Sequence, residues 1–232
     1  MQLSIVAALV GKLAPLGRRG VASGILKRPV SGAVEVARSG LEGDEQGDRK
    51  HHGGPEKAVH HYALDHYPAW RAECPGIAGH LAAPGAFGEN ISTRGITEAD
   101  VCIGDVYRLG TATVQVTQAR QPCWRLNERF GLPTMARRVQ ESGRTGWYYR
   151  VLDEGRVGPG DGFALVDRCA EDWPLARILQ VLYHDTLDRD LLRQLAELSP
   201  LAPSWRGLAR RRLERHSVED WSRRLDTPTD HP

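Results

Sequence analysis

The 232-residue sequence contains no apolar run close to the ~18–20 residues that a membrane-spanning helix requires. Its formal net charge is only +2, so it also lacks the basic excess on which charge-driven nucleic-acid binding depends. No basic region precedes the apolar N-terminal stretch, which makes it a poor signal peptide and favours a strand. We therefore expect a cytoplasmic protein that binds neither membrane nor nucleic acid.

None of the four cysteines forms a C-x-x-C pair, which excludes a zinc ribbon and a thioredoxin-type redox motif. Reduced thiols are the norm in the cytosol, and a chain of this length buries enough surface to fold without disulfides. Three of the cysteines, Cys74, Cys102 and Cys169, have no charged setting that would activate them, and we expect them to pack.

Cys123 differs because it follows a predicted strand and lies between Arg120 and Arg125. Nearby positive charge lowers the pKa of a thiol and favours the thiolate, the form that attacks electrophiles or binds soft metals. A buried structural cysteine is the alternative, since cysteine is among the most buried residue types. The polar neighbours Gln118 and Asn127 argue against a dry core.

Glycine is scarce after residue 171, where only Gly207 remains. Before that point, short apolar runs alternate with Gly and Pro, which predicts a β-barrel or sandwich. The predicted strands lie within 3–11, 32–40, 104–110, 112–118 and 162–168, and the predicted interrupting helices span 62–73 and 133–142.

The last quarter of the chain carries apolar residues at helical spacing. It predicts helices over 174–183, 188–198 and 203–215, and a short turn or helix over 218–225. We assign residues 1–170 to a β domain, 171–226 to a helical extension and 227–232 to a tail that frays. The Arg210–Arg211–Arg212 run in this extension is either a solvated face or a docking surface for an acidic partner.

Residues 51–62, HHGGPEKAVHHY, form the densest polar motif. His52 and His60 could reach one metal ion, but no carboxylate or cysteine follows at the spacing typical of zinc sites. The pattern favours an oxyanion or phosphate site formed by His52, Lys57 and the backbone amides of Gly53 and Gly54. Two other segments, GLEGD (40–44) and FGENIST (87–93), are each either a turn or polar material at a strand end.

Together these segments resemble the MOSC domain, the C-terminal type of molybdenum-cofactor sulfurases, and within it the YiiM-type branch. The matching stretches lie at 40–48, 52–62, 87–93, 104–110, 114–127 and 145–151. The block Arg120–Gln121–Pro122–Cys123 is the most diagnostic. The resemblance runs from about residue 3 to 168, and the helical tail is similar to the three-helix extension of that branch.

The resemblance implies a mainly β fold: a β-barrel like the small domain of pyruvate kinase, with short interrupting helices and a C-terminal three-helix extension. It implies a molybdenum cofactor with Cys123 as thiolate ligand, and an enzyme that reduces N-hydroxylated compounds such as 6-hydroxylaminopurine, thereby detoxifying base analogues. We assign proton donation to His52 or His60. Cofactor contacts are expected from Gly53, Gly54, Lys57, Glu89, Asn90, Gln118, Arg120, Arg125 and Asn127.

No flavin, NAD or iron–sulfur motif is present in the sequence, so electrons are expected from a separate flavoprotein reductase or ferredoxin-type donor. A monomer and a homodimer are both left open. The competing hypothesis is a carrier that holds a persulfide on Cys123 and passes sulfur or cofactor onward. A ligand-binding barrel without catalysis is a third alternative.

Overall fold

The computed structural model describes residues 2–46 and 53–228. The strands are β1 (Gln2–Ser4), β2 (Ala7–Val10), β3 (Ala14–Leu16), β4 (Val21–Ser23), β5 (Arg28–Pro29), β6 (Val34–Ala37), β7 (Gly40–Leu41), β8 (Val59–Ala63), β9 (Ile91–Thr93), β10 (Val106–Leu109), β11 (Ala112–Ala119), β12 (Trp147–Asp153), β13 (Gly155–Val157) and β14 (Gly162–Asp167). The helices are α1 (Tyr67–Glu73), α2 (Arg125–Phe130), α3 (Met135–Ser142), α4 (Leu175–Tyr183), α5 (Arg189–Glu197), α6 (Pro203–Arg215) and α7 (Ser222–Leu225).

One mainly antiparallel sheet organises the fold, with nine strands in the order β1-β14-β10-β11-β12-β8-β9-β2-β5. Strands β1 and β2 are consecutive in the chain, yet β1 pairs with β14 and β2 pairs with β9. Between them the amides of Ile5 and Val6 donate to Asp161 O and Ser92 O. The run predicted over 3–11 therefore pairs with β14 at one end of the strand series β14-β10-β11-β12-β8-β9 and with β9 at the other end. The closing strand of a barrel pairs in the same way. The predicted mainly β fold is confirmed.

The helix predicted over 62–73 is wrong in its first part. Tyr62 belongs to β8, and the helix begins only at Tyr67, after a 3-10 turn over Leu64–His66. All five residues of β8 are buried because the strand lies between β12 and β9. A strand buried on both faces shows no polar alternation, so the pattern could not reveal it.

The C-terminal helices form as predicted. Asp188 caps α5, its carboxylate accepting from the amides of Asp190 and Leu191, which satisfies two donors at the helix start. Apolar residues of α4, α5 and α6 belong to the same buried cluster as those of the large sheet. The amide of Ala202 also donates to Thr117 O of β11 at 2.9 Å. The extension therefore shares one core with the sheet. Most of the predicted tail, residues 229–232, lies outside the described residues.

No helix in the described parts of the chain is long and apolar enough to cross a membrane. Cys74 and Cys102 are buried, as expected, but Cys169 is exposed, so the expectation that it packs is wrong.

His61 is a fully buried histidine at the centre of the sheet. Its Nδ1 lies 2.9 Å from Tyr149 Oη and its Nε2 lies 2.8 Å from Thr93 Oγ1, so both ring nitrogens are bonded within the core. Burial lowers the pKa of His61 from 6.5 to about 3. The native state therefore holds this ring neutral under conditions in which the unfolded chain protonates it.

This depressed pKa predicts acid sensitivity of the fold. The stability that comes from keeping His61 neutral is fully present above pH 6.5 and is lost as the pH falls from 6.5 toward 3. The contribution of His61 is about 1.4 kcal/mol of unfolding free energy per pH unit across that window. Denaturant unfolding at a series of pH values gives the free energy of unfolding as a function of pH. Between pH 3 and 6.5 this free energy should rise more steeply with pH for the wild type than for His61→Gln. The exposed His184→Gln variant should keep the wild-type slope, and equal slopes for all three proteins would contradict this assignment.

Candidate active site at Cys123

A row of polar side chains crosses three neighbouring strands of the large sheet. Tyr148 of β12 lies opposite His60 of β8 on one side and opposite Gln118 of β11 on the other. Residues directly opposite each other in a sheet project from the same face. Arg120, two residues after Gln118, follows the same alternation. The rings of His60 and Tyr148 lie 4.9 Å apart.

Cys123 lies above this row, in the segment between β11 and α2 that has no regular secondary structure. Cys123 is buried, 6% exposed, and it borders an open cavity of about 80 Å³. The cavity is lined by Ser23, Gly24, Ile25, Lys27, Asp44, Glu45, Gln46, Lys57, His60, Phe87, Gly88, Asn90, Arg120, Cys123, Arg125 and Tyr148.

Basic groups predominate in the lining, which includes two of the chain's four lysines. Lys27 forms a buried ion pair with Asp44, whose carboxylate also accepts from the Gly11 amide at 2.8 Å and from Asn90 Nδ2 at 2.9 Å. Burial lowers the pKa of Lys27, and the Asp44 carboxylate opposes that shift. Asp44 is therefore committed to protein partners, and a further anion in the cavity would meet mainly positive charge.

The loop before β9 shapes one wall of the cavity through the buried carboxylate of Glu89. Glu89 accepts from the amides of Gly85 and Phe87 at 2.7 and 3.0 Å, and from Ser92 Oγ at 3.1 Å. Asn90 follows, and its Oδ1 accepts from the His60 amide at 3.0 Å. Glu89 thus holds the backbone of this loop in place without lining the cavity, whereas Asn90 lines it.

Several buried polar atoms beneath the cavity have no hydrogen-bond partner among the described residues. They are His60 Nε2, both amide atoms of Gln118, and Arg120 Nη1. Buried polar groups are nearly always hydrogen-bonded, and an unpaired one costs about 1–3 kcal/mol. Four of the nine such atoms in the described residues thus belong to this one row of the sheet, where a polar ligand would supply the missing partners.

His60 is held as a neutral ring with a defined tautomer. Its Nδ1 lies 3.3 Å from Gly88 O, and a carbonyl can only accept, so Nδ1 carries the proton. Burial, with a smaller contribution from the Arg120 charge, lowers the pKa of His60 well below 6.5. Nε2 is consequently an acceptor. This geometry does not suit the proton-donor role predicted for His60.

Tyr148 is a cavity residue that the sequence analysis did not single out. Burial raises the pKa of its phenol, and the positive charge of Arg120 opposes that shift only in part. The hydroxyl therefore keeps its proton at neutral pH, and Tyr148 Oη is one group in the cavity lining that has a proton to donate.

A strained turn before β12 fixes the position of Arg120. Gly146 has φ +71°, and a Cβ there would lie 2.3 Å from His61 O, so only glycine fits. The carbonyl of Gly146 accepts from the Arg120 amide at 2.9 Å, and its amide donates to Glu98 at 2.6 Å. Glu98 is itself bonded to His66 Nε2 at 2.6 Å.

The structure brings together six of the predicted site residues around the cavity: Lys57, His60, Asn90, Arg120, Cys123 and Arg125. Gln118 lies on the same face of the sheet as Tyr148 but is not part of the lining. Gly54 borders an adjoining groove that shares Asp44 with the cavity, and Gly53 lines neither. His51 and His52 lie outside the described residues.

Two predicted cofactor contacts have other roles in the structure. Glu89 is occupied by the loop amides described above. Asn127 lies on α2, where its Nδ2 donates to Leu225 O at 2.8 Å and its Oδ1 accepts from the Ala136 amide at 2.8 Å. Asn127 therefore ties α2 to the C-terminal segment instead of facing the cavity. The sequence does not show whether Asn127 contacts a cofactor or bonds to the C-terminal segment, because a polar residue near a motif cysteine is compatible with either role.

Lys27 and Asp44 were not assigned to the site from the sequence. Asp44 ends the GLEGD motif, which the sequence leaves open as a turn or as polar material at a strand end, and Lys27 stands in no motif. Within residues 2–46 and 53–228, no group of three or more His, Cys, Asp or Glu side chains converges to hold a metal. Among these residues, Cys123 is the soft ligand that the cavity offers.

Comparison with known proteins places this chain in a family. Residues 48–164 match the MOSC domain, and residues 173–216 match the YiiM-like, 3-alpha helix domain. Escherichia coli YiiM is 41% identical over 207 residues, which cover 89% of this chain and 91% of YiiM. The uncharacterized Bacillus subtilis protein YflK is 40% identical over 195 residues, 84% of this chain and 86% of YflK.

A Gibberella moniliformis protein named Reductase is 37% identical over 194 residues; the match covers 83% of this chain but only 34% of that protein. Solved structures agree with the sequence matches. The crystal structure of E. coli YiiM superposes with a TM-score of 0.82 at 32% identity, covering 98% of this chain and all of that one. YiiM from Geobacillus stearothermophilus gives a TM-score of 0.77 at 36% identity, with 91% and 99% covered. The chain therefore belongs to the MOSC-domain family, in the branch that carries the YiiM-like three-helix domain.

Proposed function

We propose that the cavity at Cys123 binds the molybdenum cofactor and that the protein reduces N-hydroxylated compounds to amines or amidines. Hydroxylaminopurines and amidoximes are the substrates we have in mind, with detoxification of base analogues as the outcome. The observation that carries this proposal is the buried Cys123 thiol beside a row of unpartnered polar atoms in a cation-lined cavity. Membership of the MOSC family and the reductase name of one relative support it.

The residues present fit such a cofactor, which combines a pterin, a dithiolene-bound metal and a phosphate. A thiolate at Cys123 is the soft ligand that molybdenum accepts. Lys57 and Arg125 would hold the phosphate as charge-assisted donors. His60 Nε2 would accept a hydrogen bond from the pterin, and Arg120 Nη1 would donate one to it. Both atoms would thereby gain the hydrogen-bond partners that they lack in the protein alone.

When bound, the cofactor supplies the two electrons that break the substrate N–O bond, which with two protons gives the amine and water. Tyr148 Oη holds a proton inside the cavity, and we assign it the donor role first given to His52 or His60. Arg120 lines the cavity together with Tyr148, and its positive charge would stabilise negative charge that develops on the phenol oxygen. Buried walls around Cys123 limit access of water to the reacting groups.

We expect the electrons to come from another protein, since this sequence shows no flavin, NAD or iron–sulfur motif. A flavoprotein reductase or a ferredoxin-type protein is the expected donor. The proposal also places the reaction in the cytoplasm, where the Cys123 thiol stays reduced.

Replacing Cys123 with serine should abolish function without removing the fold, because the change alters one buried atom. Molybdenum content should fall by about tenfold, the scale on which groups of a metal site typically contribute, while the remaining contacts to the cofactor retain part of it. Metal analysis of protein from a cofactor-making host, with a benzamidoxime reduction assay, measures both effects. The exposed Cys169→Ser serves as the matched control. Wild-type metal content and full reduction by Cys123→Ser would refute the proposal.

The same preparation separates the reductase from the carrier hypothesis. A carrier would show a stable +32 mass adduct on Cys123, with no molybdenum and no amidoxime reduction, whereas the reductase should show metal and turnover without that adduct.

Arg120 provides a second test, directed at the pterin-binding role. We expect Arg120→Met to lower the molar content of bound pterin by about tenfold, as for other groups that support a metal site. Fluorescence of the oxidised pterin released from purified protein reports that content. Arg108→Met, an exposed change on β10, should retain the wild-type content. If the two variants retain pterin equally, Arg120 does not hold the cofactor.

A further inference from the structure

The segment that carries Cys123 has no regular secondary structure of its own, so other parts of the molecule must hold it in place. Residues 120–124 connect the end of β11 to the start of α2. A buried thiol on such a segment keeps one orientation only if the flanking backbone is bonded on both sides.

Both flanks of Cys123 are bonded to a single residue, Arg224 of α7, about a hundred positions later in the chain. The Trp124 amide donates to Arg224 O at 2.7 Å. The Arg224 guanidinium donates to Pro122 O on the other side, and also to Gln140 Oε1 of α3. Arg224 therefore closes a bridge over the Cys123 backbone, with α3 as its second support.

The residues after Arg224 secure this bridge to the β domain. Leu225 is almost fully buried and packs in the cluster that contains Leu126 and Phe130 of α2. Asn127 Nδ2 donates to Leu225 O. Burial of an apolar side chain of this size is stabilising, so Leu225 fixes the segment to the β domain.

The residues before Arg224 connect the bridge to the helical extension. Arg212 of α6 has a buried guanidinium, and it donates to both carboxylate oxygens of Glu219 at 3.0 and 2.7 Å. Trp221 Nε1 donates to the same carboxylate at 2.8 Å. Burial raises the pKa of Glu219, but the bonds from Arg212 and Trp221 outweigh that effect and hold it below its ordinary value. Glu219 is therefore an anionic link at neutral pH.

We propose that residues 219–227 are the element through which the helical extension positions Cys123, with Arg224 as the positioning residue. The segment lies beyond both matched family spans, 48–164 and 173–216. Its role follows from contacts of the thiol segment and holds whether or not the cavity binds molybdenum. The consequence for the proposed reductase is that damage to the C-terminal segment would disturb the Cys123 ligand without touching the cavity lining.

The test is the rate at which iodoacetamide alkylates Cys123 in full-length protein made in a host that cannot produce the cofactor. Peptide mass mapping separates Cys123 from the exposed Cys169, which is the internal reference. In Arg224→Ala we expect the Cys123 rate to rise about tenfold, the effect of losing one charge-assisted restraint. Arg224→Lys, which keeps one donor, should fall between, and Arg223→Ala, an exposed neighbour, should match the wild type.

A thermal melt shows which variants are folded. A folded Arg224→Ala with the wild-type Cys123 rate would overturn the proposal. An equal rise at the buried Cys74 would also overturn it, because that result indicates general loosening. If Arg224→Ala does not fold, Gln140→Leu removes the second support while keeping the Arg224 charge. A faster Cys123 rate in that variant supports the proposal, and an unchanged rate overturns it.

Discussion

The register of three adjacent strands is the constraint on which the site depends. Because Tyr148 lies opposite both His60 and Gln118, their side chains leave the sheet on one face, while the next row, His61 and Trp147, enters the core. A shift of one residue in any of these strands would exchange the two rows. In the core row, both ring nitrogens of His61 are hydrogen-bonded to other core residues. In the cavity row, several polar atoms of His60 and Gln118 have no hydrogen-bond partner among the described residues. Pairing in the sheet thus decides which histidine is structural and which faces a ligand.

Much of the fold could be predicted from the sequence, because short strands with Gly and Pro turns and amphipathic helices leave clear patterns. Helix α6 was predicted with its observed bounds. Strand β8 was missed because burial on both faces removes its alternation. The pairing of the 3–11 run with β14 and with β9 joins segments that are far apart in the sequence, so no short stretch of sequence can predict it.

For the site, the motif residues Cys123, Arg120 and His60 could be found from the sequence, but their neighbours could not. Lys27 and Asp44 reach the cavity from a region without a motif, and they meet only after folding. Asn127 stands four residues from Cys123 and yet faces away, since α2 turns it toward the C-terminal segment. Sequence proximity identifies the region of a site, whereas side-chain direction requires the structure.

The charge pattern and the unpaired atoms together explain why this cavity suits an anionic, polar group. Asp44 neutralises Lys27 and is itself fully bonded, so the remaining basic groups are not cancelled by it. The buried atoms beneath Cys123 would be a cost to the empty protein, and a ligand that bonds them recovers that cost. The helical extension shares the core of the sheet and connects through Arg224 to the thiol segment, so the two parts act as one scaffold.

The central claim is that the Cys123 sulfur is a ligand to molybdenum in the loaded protein. X-ray absorption spectroscopy at the molybdenum edge measures this directly, because it counts the sulfur neighbours of the metal. It should be done on wild-type protein and on whatever metal-bearing fraction of Cys123→Ser is recovered. The account predicts one sulfur neighbour fewer in the variant. The same number of sulfur neighbours in both proteins would contradict it.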